Sequence, residues 1–172
     1  MAIQETHLSQ IQTDEIQDSW YGKRLKIIST IDPDHPNAAG VAVALNYDLV
    51  NTGPEVQSHI IIRGRALCVS VPRHDNQTLT TLVVYPPNDN MTNLASFYND
   101  LTAKWLELNL PVPDLIVGDH NVCEEPCDQS NNCEDQLDAI HALVRFKSMF
   151  CMKDGWCAAN PTEQQYTYTH HG

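Results

Sequence analysis

The fold prediction starts from the stretch Asp114-Leu115-Ile116-Val117-Gly118-Asp119-His120-Asn121. Its apolar residues 115–117 lie between two prolines and a glycine, which predicts a short buried strand that ends at Gly118. Asp119 and Asn121 follow the strand end, where α/β proteins commonly build their sites. A carboxylate that only accepts hydrogen bonds and a carboxamide that also donates them suit the orientation and deprotonation of a water molecule. Gly-Asp-x-Asn is also ordinary turn chemistry, so this stretch alone leaves both interpretations open.

Composition and charge restrict the class of protein. The chain has 172 residues, enough for one domain with a sizeable core. It is 42% hydrophobic and 19% charged, which is typical of a globular chain rather than a disordered one. The formal net charge of -12, from 10 basic and 22 acidic residues, excludes nucleic-acid binding through a general basic surface. Any phosphate binding is therefore expected to be local or to depend on a divalent metal.

The N-terminus and the cysteines indicate the compartment. The N-terminus has neither a basic region nor an apolar core, and the apolar runs are too short to span a bilayer. We therefore expect an intracellular protein, cytoplasmic or nuclear, that is not secreted and has no membrane partner. Without an export signal, the six cysteines are expected to be reduced thiols. The spacing of Cys123, Cys127 and Cys133 leaves a cysteine-metal binding module as an alternative.

Hydrophobic periodicity predicts a mixed α+β chain. Strands are expected at 2–3, 25–29, 40–46, 58–64, 65–71, 78–85, 114–118 and 166–169, and helices at 9–20, 92–108 and 134–150. The middle strands follow one another without helices between them, which implies antiparallel meanders. Ser9 or Thr13 is the expected N-cap of the first helix, and Thr92 that of the second. The helix faces expected in the core are Leu94, Phe97, Leu101, Trp105 and Leu108, and then Leu137, Ile140 and Val144.

Three distant segments each place polar residues at the end of an apolar strand: Ile3-Gln4-Glu5-Thr6-His7, Val84-Tyr85-Pro86-Pro87-Asn88-Asp89 and Val117-Gly118-Asp119-His120-Asn121. Their order and spacing resemble the endonuclease/exonuclease/phosphatase superfamily, which has the deoxyribonuclease I-like fold. Gly64-Arg65-Ala66 and Asp154-Gly155-Trp156 are similar to segments of the endonuclease domains of fungal non-LTR retrotransposons. The resemblance covers almost the whole chain. It implies a single domain over 1–172, an α+β four-layer α/β/β/α sandwich in which two mixed sheets pack face to face.

The resemblance also implies an activity and a role for each residue. The family members are divalent-metal-dependent phosphodiesterases, and by lineage this chain would be an endonuclease that nicks DNA or cleaves another phosphoester. Glu5 would hold Mg²⁺ or Mn²⁺. Asp119 would accept a proton from the attacking water, while Asn121 orients the Asp119 carboxylate. Tyr85 would donate a hydrogen bond to the scissile phosphate, and Asn88 would help to shape the phosphate-binding pocket.

The sequence departs from the family pattern near both ends. The family has an earlier strand that bears Asn and a late Ser-Asp-His segment that supplies a phosphate-side His, and neither occurs here. In addition, His120 stands where the family has Phe. We therefore expect an incomplete domain, truncated at both ends, whose activity is weak or absent, because the missing His would stabilise developing phosphate charge. A non-catalytic remnant of a retrotransposon endonuclease is the alternative, so the sequence leaves open whether the chain is an enzyme.

Overall fold

A computed structural model of the chain describes residues 1–36, 39–124, 136–160 and 163. Its strands are β1 (Ala2–Gln4), β2 (Leu25–Thr30), β3 (Val41–Asn46), β4 (Gln57–Ile62), β5 (Ala66–Pro72), β6 (Thr78–Val84) and β7 (Leu115–Gly118). Its α-helices are α1 (Gln10–Asp18), α2 (Met91–Glu107), α3 (Leu137–Met149) and α4 (Gly155–Ala159). The α+β class is therefore confirmed, whereas the strand predicted at 166–169 lies outside the described residues.

The chain forms two compact units. The first comprises Met1–Pro86 and Ala103–His120, and the second comprises Pro87–Thr102 and Asn121–Gly172. The first unit holds all seven described strands together with α1, whereas α3 and α4 belong to the second. Within the described ranges, no helix has both the length and the apolar character needed to cross a membrane.

Two sheets pack face to face in the first unit. One has the strand order β1-β3-β2 and is antiparallel, and the other has the order β4-β5-β6-β7. The turns between β4, β5 and β6 are short, so these strands form the antiparallel meander that the sequence predicts. The core between the sheets is made of branched side chains such as Val41, Val43, Leu67 and Val83. These small β-branched and aliphatic residues suit a closely packed sheet interface.

Strand β7 runs parallel to β6, and α2 lies in the connection between them. Asp114 fixes the start of this pairing, because its main-chain N–H donates to the Thr80 oxygen at 2.8 Å and its carboxylate accepts from the Thr80 N–H at 2.8 Å. The prediction that residues 115–117 form a strand is correct, but the prediction that it is buried is wrong. Leu115 is 47% exposed, since β7 is an edge strand among the described residues.

Helix α1 attaches to β2 through polar side chains. The Gln17 carboxamide accepts from the Ile27 N–H and donates to the Leu25 oxygen, both at 3.0 Å, and the Thr13 and Ser29 hydroxyls are 3.0 Å apart. These bonds satisfy backbone groups of β2 that have no strand partner on that side. They place a helix against the outer part of the first sheet.

The N-caps show how local chemistry sets the helix boundaries. Ser9 caps α1 in a capping box: its hydroxyl accepts from the Gln12 N–H, and the Gln12 side chain accepts from the Ser9 N–H. This confirms one of the two predicted caps. For α2 the prediction of Thr92 is wrong, because the Asn90 carboxamide oxygen accepts from the Asn93 N–H at 2.8 Å and the helix begins one residue before Thr92. Asn is at least as good an N-cap as Thr.

The predicted core stripe of α2 is largely correct. Four of its five side chains are buried: Leu94, Phe97, Leu101 and Trp105. Leu108 is 48% exposed and follows the last helical residue, so the helical period no longer applies to it.

The predicted face of α3 is wrong. Leu137 is 60% exposed and Val144 is 41% exposed. The buried side chains are instead Ala139, Ala142, Leu143 and Phe146. This helix carries two apolar stripes, and the buried one contains its aromatic residue, whose ring centroid lies 5.9 Å from that of Tyr98. A buried aromatic ring removes more apolar area from water than an aliphatic side chain does, so it favours this rotation of the helix.

Helix α4 begins at Gly155 and has a side-chain cap. The Asp154 carboxylate accepts from the Cys157 N–H at 2.9 Å. That hydrogen bond is the main reason why the pKa of Asp154 lies below its ordinary value, and the nearby charge of Lys147 acts in the same direction. A Cβ added at Gly155 would meet no atom within 4 Å, so this glycine is not required by packing.

Candidate functional site

Three of the predicted site residues follow strand ends in the first unit. Glu5 comes directly after β1, Tyr85 after β6 and Asp119 after β7. Because β6 and β7 are parallel, Tyr85 and Asp119 lie at the same edge of their sheet. Strand β1 belongs to the other sheet and contacts β7, which brings Glu5 to the same end of the sandwich.

Glu5 and Tyr85 are in direct contact. The Tyr85 hydroxyl donates a hydrogen bond to Oε1 of Glu5, and this bond joins residues that are 80 positions apart in the sequence. Glu5 has a φ of 52°, a left-handed conformation that is uncommon for a residue with a Cβ. The chain therefore turns sharply as β1 ends, and the carboxylate reaches the neighbouring sheet. Backbone of this kind is often held in place at functional sites.

The surroundings of Tyr85 keep its phenol protonated. Burial raises the pKa of Tyr85 to about 12, and the hydrogen bond to Glu5 acts in the same direction. The negative charges of Glu5 and Asp119 add to the rise, and the positive charge of Arg65 opposes it. At neutral pH the Tyr85 hydroxyl is therefore a hydrogen-bond donor, which is what an anionic phosphate oxygen requires.

Arg65 is a residue of this region to which the sequence analysis assigned no role. Its Nη1 donates to the main-chain oxygen of Tyr85 at 3.2 Å, and its guanidinium carbon lies 5.7 Å from the centroid of the Tyr85 ring. That distance is within the range of a cation–π interaction. The predicted meander could have identified it. Arg65 directly precedes β5 and Tyr85 directly follows the antiparallel β6, so the two residues lie opposite each other.

Gly118 brings the end of β7 close to β6. Its φ is 143°, and an added Cβ would lie 1.9 Å from the main-chain oxygen of Val84. Only glycine tolerates both this conformation and this close approach. Asp119 is the next residue, so the position of its exposed carboxylate depends on the absence of a side chain at Gly118.

Asn88 and Asn121 belong to the second unit, unlike Glu5, Tyr85 and Asp119. Asn88 is exposed. Asn121 is half-buried and has a φ of 52°, which Asn adopts more readily than most residues. The grouping seen within the first unit thus contains three of the five predicted residues, and the roles predicted for Asn88 and Asn121 stay predictions.

The donor chemistry at the strand ends fits a hydrated divalent ion. Among the described residues, no group of three or more His, Cys, Asp or Glu side chains is placed to hold a metal. Mg²⁺, however, usually keeps several waters and takes only one or two carboxylates from the protein. Glu5 and Asp119 supply carboxylates of this kind at the same end of the first unit, and of these Glu5 is the predicted ligand.

The cysteines give no metal site in the part of the chain that the structure describes. Cys68 is buried, Cys123 is half-buried, and Cys151 and Cys157 are exposed. Burial raises the pKa of Cys68 to about 11, which makes it a poor ligand and nucleophile at neutral pH. Cys127 and Cys133 lie outside the described residues, so the alternative of a cysteine-metal module stays a prediction.

The pKa of Tyr85 gives the first testable prediction. In a titration followed by tyrosinate absorbance, we expect a step with its midpoint near pH 12 that is absent from Tyr85→Phe. Glu5→Gln should lower that midpoint, because the mutation removes a negative charge. The pKa in the folded protein lies above the unfolded value of about 10. The contribution of Tyr85 to the free energy of unfolding is therefore fully present below about pH 10 and is lost as the pH rises towards about 12.

Tyr21→Phe, which alters a ring that is 61% exposed, serves as the control and should leave the late step in place. A step that persists in Tyr85→Phe would show that another tyrosine causes it.

No model of a known protein family matches the chain, and no curated protein is similar to it at a significant level.

Proposed function

We propose that the strand ends of the first unit form a divalent-metal-dependent phosphodiesterase site of the endonuclease type. The observation that carries the proposal is the contact between Tyr85 and Glu5 at the same end of the unit as Asp119. These residues come from three segments that are distant in the sequence and from both sheets. Their types are a metal-binding carboxylate, a protonated donor and a second carboxylate that is open to water, which together suit the hydrolysis of a phosphodiester.

Each residue has a role that its surroundings support. Asp119 is exposed and can accept a proton from an attacking water, a task worth about 10²- to 10⁴-fold in rate. When a phosphate is bound, Tyr85 transfers the hydrogen bond of its hydroxyl from Glu5 to a phosphate oxygen. Glu5 would hold Mg²⁺ or Mn²⁺, and such an ion would neutralise negative charge on the phosphate when bound. The roles that the resemblance implies for Asn121 and Asn88, which belong to the second unit, stay predictions.

The proposed fold is the deoxyribonuclease I-like sandwich. The two face-to-face sheets of the first unit would be its inner layers, and α1 contacts the edge strand β2. In this proposal 1–172 forms a single domain. The substrate class is DNA or another phosphoester. A chain with a net charge of -12 would hold such an anion through local groups rather than through its general surface.

The experiment that tests the proposal is a plasmid-nicking assay with Mg²⁺ and then with Mn²⁺. The 172 residues contain no Ser-Asp-His segment, so we expect weak or no nicking and include a version extended with that family segment. In whichever version nicks, Asp119→Asn should reduce the rate by at least about 100-fold, because the general base is lost. Asp18→Asn, which changes an exposed acid at the end of α1, is the matched control and should not alter the rate.

Two outcomes would reject the proposed function. One is the absence of metal-dependent nicking in both the original and the extended versions, which would leave a non-catalytic remnant as the better description. The other is nicking that proceeds equally in Asp119→Asn, which would place the activity elsewhere or in a contaminant.

A further inference from the structure

We infer that Arg65 is a positioning residue for this site: it holds Tyr85 in place and thereby directs the Tyr85 hydroxyl towards Glu5. The consequence for turnover rests on the proposed function. The positioning itself concerns a hydrogen bond between two described side chains, so it can be tested whether or not the protein is an enzyme.

A tight turn fixes the point from which Arg65 extends. The Arg65 N–H donates to the Ile62 oxygen at 3.0 Å, which closes the turn between β4 and β5. Gly64 within this turn has a φ of 67°, and its N–H donates to the Thr30 hydroxyl at 3.2 Å. Its oxygen accepts from the Gly40 N–H at 2.9 Å. Thr30 and Gly40 belong to the chain of the other sheet, so the turn is anchored to both sheets.

Arg65 then contacts Tyr85 in three ways. The antiparallel pairing of β5 with β6 continues for one more step, since the Tyr85 N–H donates to the Arg65 oxygen at 2.8 Å. The side chain returns to the same residue, with Nη1 3.2 Å from the Tyr85 oxygen and the guanidinium facing the ring. A guanidinium is planar and carries its donors in a rigid fork, so one group can bind a carbonyl and face an aromatic ring together. A lysine ammonium lacks this geometry.

The position of the Tyr85 ring determines the site geometry because its hydroxyl is the atom that reaches Glu5. Tyr85 is the first residue after β6, where the regular pairing of that strand has ended. The main-chain bond to Arg65 and the packing of the Tyr85 ring in the core hold the residue itself, and the Arg65 side chain adds a contact to its carbonyl oxygen and its ring. Without the Arg65 side chain, we expect the hydroxyl end of the ring to move away from Glu5 and to become more accessible to water.

The test compares Arg65→Lys, Arg65→Met and Arg73→Met by NMR of ¹³C-labelled tyrosine, with the Tyr85 signal assigned from Tyr85→Phe. Arg73 is the matched control because it is exposed and lies just beyond the opposite end of β5. If Arg65 positions Tyr85, Arg65→Met breaks the bond to Glu5 and hydrates the ring. The midpoint of Tyr85 titration then falls from about 12 towards the ordinary value of about 10. The Tyr85 midpoint should fall part of the way in Arg65→Lys and should not change in Arg73→Met. Circular dichroism at each pH restricts the comparison to folded protein.

The direction of the change distinguishes positioning from a simple charge effect. The positive charge of Arg65 lowers the pKa of Tyr85, so the loss of charge alone would raise the midpoint in Arg65→Met. A rise, or no change, would overturn the inference. This readout needs no activity, so it decides the positioning role even when the proposed function fails.

Turnover provides the second readout. In the version that shows Asp119-dependent nicking, Arg65→Met should reduce kcat by at least tenfold with a smaller effect on KM, and Arg65→Lys should recover part of the loss. Arg73→Met should match the parent. Unchanged turnover alongside a lowered Tyr85 midpoint would overturn the claim that this positioning serves the site.

Discussion

Gly118→Ala is expected to destabilise the first unit by about 3 kcal/mol or more. The added Cβ would lie 1.9 Å from the Val84 oxygen and 2.9 Å from the Val84 carbonyl carbon, and neither atom can move without disturbing β6. The φ of 143° is in addition a conformation that side chains with a Cβ rarely adopt. Either β7 separates from β6 at its end or the backbone changes conformation, and both alternatives displace Asp119. The measurement is the free energy of unfolding in urea.

Gly155→Ala is the matched control, since the same methyl group would meet nothing within 4 Å there. We expect its effect to stay within roughly 0.5 kcal/mol, which is usual for a surface substitution away from special features. Equal effects of the two substitutions would show that Gly118 does not approach Val84 as described.

Leu143→Ala should cost about 2 to 5 kcal/mol, whereas Leu137→Ala should cost less than about 0.5 kcal/mol. Both substitutions remove the same atoms from the same helix, α3. Leu143 is 3% exposed and Leu137 is 60% exposed, so only the first leaves a cavity. The pair is compared by urea unfolding monitored by circular dichroism. A larger effect of Leu137→Ala than of Leu143→Ala would show that the buried face of α3 is the one that helical periodicity predicts.

The sequence predicted features that depend on neighbouring residues better than features that depend on distant ones. The cap at Ser9 and the antiparallel meander follow from local chemistry and short turns, and both are present. The prediction of Thr92 as the cap was wrong because Asn90, two residues earlier, is the better acceptor. The buried face of α3 was predicted wrongly because the helix has two apolar stripes, and the sequence does not show which of them packs against the rest of the protein.

At the candidate site, too, features that depend on neighbouring residues were predicted better than features that depend on distant ones. The types of Glu5, Tyr85 and Asp119 and their places after apolar strands could be predicted from motifs. The hydrogen bond between Glu5 and Tyr85 could not, because it depends on how two sheets align across 80 residues of sequence. Arg65 was overlooked as a site residue because its importance comes from strand register rather than from a local pattern.

The hydrogen bond between Tyr85 and Glu5 has a thermodynamic consequence for any cation at that carboxylate. Oε1 of Glu5 already accepts a proton donor, so an ion that approaches it competes with the phenol or shares the oxygen with it. The two equilibria are therefore linked, and linkage acts with equal strength in both directions. A cation on Glu5 would weaken the hydrogen bond from Tyr85, and a weaker hydrogen bond would raise the affinity of Glu5 for a cation. The Glu5 carboxylate would thus couple the binding of a cation to the hydrogen bond that it accepts from Tyr85.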